Sequence, residues 1–156
     1  MKVIEPFLRI LLAGALVIMV ISCASSPYVQ KESEVLELVA LINDGEATNV
    51  DGLLQTPFAL DTETLYLDSD VTRFWDNLAE NGFAMSNPGV IATERVGEET
   101  YRKFADTFDM KNFFAQYTGE DTSLVTVGTG EGSYYFLLER AIQGYPRIRG
   151  FKGPVR

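Results

Sequence analysis

The sequence predicts an α+β domain in which N-terminal helices pack on one face of a curved antiparallel sheet. Three observations carry the prediction. Val35, Leu38, Val39 and Ile42, and later Val71, Phe74, Trp75 and Leu78, recur at i, i+3, i+4 and i+7, the stripe of a helix buried along one side. From Val90 onward β-branched and aromatic residues crowd together in short runs. The last three runs, 123–129, 133–140 and 145–152, are joined by connections short enough for antiparallel neighbours. Helices first and strands afterwards is the order of an α+β domain.

Taken in order, the first helix has Ser33 as its predicted N-cap and Glu34 and Glu37 in its opening turns, where negative charge suits the helix dipole. Asn43-Asp44-Gly45 ends it. A shorter helix capped by Thr48 or Asn49 is expected to carry Val50, Leu53 and Leu54 and to stop before Thr56-Pro57, because the residue preceding proline avoids the helical region. A short strand follows at 64–67. Asp70 is the predicted cap of the next helix, and Asn81-Gly82 its stop. Residues 90–96 and 100–106 read as a hairpin around Gly97-Glu98-Glu99, although Tyr101, Phe104, Ala105 and Phe108 also fit a helix. Met110, Phe113, Phe114 and Tyr117 return to helical spacing and end at Gly119.

Ahead of all this, Lys2 and Arg9 precede an uncharged apolar run over 10–21, closed by Ser22 and Cys23. A helix of that length spans about 18 Å, short of a hydrocarbon core of about 30 Å, so the run reads as a cleaved leader rather than a permanent span. The segment resembles a bacterial lipoprotein signal peptide with its lipobox. The resemblance implies a thioether-linked diacylglycerol on Cys23, cleavage before it and acylation of the freed amine. Two or three acyl chains anchor a protein durably where one does not. The resulting divisions are a signal peptide at 1–22, a lipidated tether at 23–32 and one α+β domain at 33–156. The implied address is the cell envelope, at the outer membrane if the cell has two membranes, since the residue after Cys23 is Ala24.

The 156-residue chain has 13 basic and 22 acidic residues and no histidine, for a net charge of −9. Losing Lys2, Arg9 and Glu5 with the leader takes the charge to −10. Such a chain suits no nucleic acid, which needs clustered positive charge. Without histidine the usual general base and the commonest metal ligand are missing. The only cysteine is consumed by the lipid in this reading, so no disulfide staples the fold.

The element order, the segment Pro57-Phe58-Ala59-Leu60 with residues 70–83, and the closing Gly144-Tyr145-Pro146-Arg147-Ile148-Arg149-Gly150-Phe151-Lys152-Gly153-Pro154 resemble the cone-shaped fold of the nuclear transport factor 2-like superfamily. The resemblance covers residues 33–152. It implies a fold shared by isomerases, dehydratases, hydrolases and noncatalytic binding domains, and fold does not choose among them. The Asp-His pair of the familiar enzymes is absent here.

In a regular closing strand Tyr145, Arg147, Arg149 and Phe151 share a face. With Trp75 they form the candidate ligand-binding set, since guanidinium forks and aromatic rings suit a carboxylate, phosphate or sugar. If Glu139 pairs with Arg147, an ion pair removes the site. Shifted by one, Leu138 faces Arg147 and Phe136 faces Arg149, and the arginines are left for a ligand. Asp61, Glu63, Asp68 and Asp70 lie close in sequence, with Asp61 and Glu63 on one face of a strand, but lack calcium-loop spacing and read as caps and solvated surface. The aromatic residues read as core. No catalytic residue, metal or cofactor is assigned. The expected partners are the membrane through Cys23 and a small ligand or envelope protein. The alternative is a small hydrolase or isomerase using a carboxylate or tyrosine in an apolar cone pocket.

Overall fold

A computed structural model describes residues 29–45, 50–141 and 144–156. Cys23 and the leader lie outside the described residues. Three helices, α1 (Glu32–Asn43), α2 (Asp68–Glu80) and α3 (Phe108–Tyr117), accompany six strands: β1 (Leu54–Leu60), β2 (Glu63–Leu65), β3 (Gly89–Arg95), β4 (Thr122–Gly128), β5 (Ser133–Glu139) and β6 (Arg147–Val155). The strands form one open sheet in the order β2-β1-β6-β5-β4-β3. The chain is thus α+β as expected. The sheet, however, is mixed rather than antiparallel, because β1 runs parallel to β6.

The expected helical stripes are buried as the spacing requires. Val35, Leu38, Val39 and Ile42 of α1 and Val71 and Trp75 of α2 pack with Phe58, Val125, Val127, Phe136, Leu138 and Ile148 on one face of the sheet. The other face is covered too, which the sequence reading did not anticipate. Ala59, Leu124 and Leu137 point the opposite way, against Met110, Phe113 and Phe114 of α3 and against Tyr101 and Phe104. Alternation along each strand separates the two cores. It also explains why β4 is buried at six successive positions, Thr122 to Val127.

The second arm expected at 100–106 is instead a 3₁₀ turn over Thr100–Lys103. A strand would send Tyr101 and Phe104 to opposite faces, whereas a 3₁₀ turn stacks residues i and i+3 and lets both rings enter the second core. Leu54 likewise leaves the helix expected for it and begins β1. Pro57 sits where the β1–β6 register is interrupted between Leu54 and Ala59, so its missing N–H breaks no ladder bond. Lys31 and Leu67 occupy the N-cap positions of α1 and α2, in place of Ser33 and Asp70. Asn81 and Gly82, at φ +66°, end α2 as expected. Asp61 does not share a strand face with Glu63. It lies in the β1–β2 turn at φ +48° and accepts the Gly153 N–H at 3.2 Å.

Candidate functional site

The closing strand is not regular, and its irregularity sorts the predicted residues. Glu139 pairs with Arg147 and Leu138 with Ile148, but Leu137 pairs with Gly150, so Arg149 is the extra residue of a bulge. An inserted residue reverses side-chain parity beyond it. Phe151 consequently turns to the α1–α2 face and is separated from Arg147 and Arg149, with which a regular strand would align it.

On that face Phe151 is 3% exposed and central to a cluster of aromatic rings. Its centroid lies 5.1 Å from Phe136, 5.3 Å from Trp75, 5.6 Å from Tyr134, 6.0 Å from Phe74 and 6.1 Å from Phe83. Trp75 and Phe151 therefore do meet, inside the core.

Arg149 is engaged on the other face. Its Nε donates to Glu139, and Nη1 reaches the Pro57 carbonyl at 3.4 Å. The two charged side chains are only 13% and 16% exposed. The register is the one expected to cancel the site, but the cation that takes the acid is Arg149 rather than Arg147, because the bulge turns it toward Glu139. Arg147 and Tyr145 stay exposed at the start of β6.

Beside Trp75 a narrow apolar cleft opens among Ile42, Val50, Leu78, Ala79 and Phe83, with a volume of about 10 Å³. That is room for about one water. Trp75 Nε1, Asp51 Oδ1 and Thr64 Oγ1 are buried polar atoms without a hydrogen-bond partner. Burial, and secondarily the Asp76 carboxylate, pushes the Asp51 carboxyl above its ordinary value. Tyr134 is raised chiefly by burial and then by Glu131. Glu131 itself is held low by hydrogen bonds from Ser86 and Thr129. A second hollow, about 510 Å³ and open to solvent, lies between Val96-Gly97 and the Lys111, Phe114 and Thr118 side of α3.

The early acids have ordinary partners: Asp68 accepts from Thr56, and Asp70 lies 3.9 Å from Arg73. Among the described residues no group of histidine, cysteine or acidic side chains is arranged to hold a metal ion. Sequence reasoning missed Asp51 and the role of Glu139. Asp51 carried no signal, since its burial depends on the turn into β1, while Glu139 was legible only as one of two registers. No family model, curated protein or solved structure matches the chain.

Proposed function

We propose that the chain is an acyl-anchored cell-envelope lipoprotein, at the outer membrane where there are two, whose α+β domain binds or interacts without catalysing a reaction. The single supporting observation is the leader itself: a charged start, a twelve-residue apolar run and the chain's one cysteine directly after Val20-Ile21-Ser22. The packed interior supports the noncatalytic half of the reading. The cleft beside Trp75 holds about 10 Å³, and the aromatic residues around it fill the core. The finer fold reading, a nuclear transport factor 2-like cone, belongs to the same proposal. Its support is the element order and the helices α1 and α2 over one face of the sheet.

A small hydrolase or isomerase is the competing reading, and one observation favours it: Asp51 Oδ1 is buried without a hydrogen-bond partner, and burial holds its carboxyl above the ordinary value. The anchor is tested by metabolic labelling with a fatty acid in wild type and Cys23→Ala, followed by membrane fractionation. Label and membrane association present in the wild type and lost in the variant are the expected result. Label retained in the variant, or a wholly soluble wild type, refutes the anchor.

A further inference from the structure

The described chain begins at Val29, and Gln30 fixes where it enters the fold, donating its backbone N–H to Ser123 Oγ at 3.3 Å. Ser123 pairs with Arg95, Thr122 with Glu139, and Glu139 with Arg147. The starts of β4 and β6 and the ends of β3 and β5 therefore lie together, and the chain arrives at that end of the sheet.

Arg95 and Arg147 are exposed there, and Tyr145, 39% exposed, stands just before β6. Among the described residues neither arginine makes an ion pair, whereas Lys31, Arg73, Arg102, Lys103 and Arg149 all do. The opposite end carries Asp61, Glu63 and Glu131 in or beside its turns, with the exposed Arg156 following β6. Acids also occur at the entry end, Glu98 and Glu99 after β3 and Glu120 and Asp121 before β4. Attraction there comes from particular side chains rather than from net charge.

Chain length constrains the rest. Six Cα–Cα steps separate Cys23 from Val29, so even a fully extended tether reaches no more than about 22 Å. The nine residues of β6 make the sheet about 30 Å long. We propose that, once Cys23 is acylated, the entry end of the sheet is the membrane-facing surface of the domain, with Arg95 and Arg147 on lipid phosphates and Tyr145 at the headgroup boundary. The inference rests on the acyl-anchor reading and adds an orientation to it. Guanidinium groups suit phosphate oxygens, and a tyrosine ring with its polar tip suits the interface. Arg95 lies in register with Ser123, Leu138 and Ile148, and Arg147 with Glu139 and Thr122, so the two arginines leave opposite faces of the sheet on strands about 14 Å apart, and each meets its own headgroup.

An acylated Cys23 leaves no other thiol, so a single introduced cysteine accepts a fluorophore at one place. The acylated chain carrying Glu120→Cys at the entry end, or Thr62→Cys in the opposite β1–β2 turn, is placed in phosphatidylcholine vesicles containing headgroup-quencher lipids. Quenching at Glu120→Cys at least about threefold that at Thr62→Cys is expected, because the length of the sheet separates the two positions. Adding Arg95→Glu and Arg147→Glu brings the ratio toward one. Equal quenching at both positions, or stronger quenching at Thr62→Cys, overturns the orientation while the anchor stands, and a ratio unmoved by the arginine substitutions overturns the placement of Arg95 and Arg147 on lipid phosphates. A mature chain whose mass shows no acyl group overturns the anchor and the orientation together.

Discussion

Phe151→Ala removes the ring on which five other aromatic side chains converge. With Phe151 3% exposed, the loss comprises the transfer free energy of the ring and the cavity it leaves, about 3–5 kcal/mol for a buried phenylalanine. Each of the five aromatic neighbours, at 5.1–6.1 Å, contributes beyond area burial, but non-additively. The upper part of the range, about 4–5 kcal/mol, is therefore expected, a large share of the roughly 5–15 kcal/mol that holds a domain folded. Urea unfolding followed by Trp75 fluorescence measures it, since that indole lies 5.3 Å from the deleted ring. Tyr145→Ala, at an exposed position, is the control and should change stability by less than about 0.5 kcal/mol. A loss under about 1.5 kcal/mol at Phe151 would mean that the ring faces solvent or a ligand, and would refute the bulge-induced change of face.

Further expectations follow from single contacts. Glu139→Ala strands the mostly buried Arg149 and should cost about 2–3 kcal/mol in urea unfolding, discounted from the fully buried case for the 13–16% exposure; Glu139→Leu with Arg149→Met should recover most of it. Asp51 has a folded-state carboxyl raised above 3.8, so its contribution to stability is fully present below that pH and is lost as pH rises through the folded value. Asp51→Asn should accordingly be more stable than wild type at pH 7, the difference closing in denaturation curves taken near pH 3; an unchanged difference across that window refutes the burial argument. Thr107 caps α3 by accepting the Met110 N–H at 3.2 Å, and Thr107→Ala should lower the unfolding free energy by about 1 kcal/mol.

How much could be read from the sequence follows from which features are periodic. The stripes of α1 and α2 were legible because an i, i+3, i+4, i+7 pattern of large apolar residues has few other uses, and all four α1 positions are buried. Residues 100–106 were not, because β-branched and aromatic content favours a strand there while the requirement that Tyr101 and Phe104 share one core is tertiary. The parallel β1–β6 pairing was hidden for the same reason: Ile148 donates its N–H to the Leu53 carbonyl at 2.8 Å, a contact across nearly the whole domain. At the candidate site, residue types were readable but their faces were not. One inserted residue at Arg149 turns Phe151 into the core and Arg149 toward Glu139, and nothing local in Arg147-Ile148-Arg149-Gly150-Phe151 announces a bulge except the glycine.

The anchor is tested most directly by mass spectrometry of the mature protein's first peptide. A chain beginning at Cys23, with a diacylglyceryl group on its sulfur and an acyl group on its amine, is the predicted result. A peptide that runs uncut through Ser22-Cys23, or one that starts at Cys23 with an unmodified thiol, contradicts it.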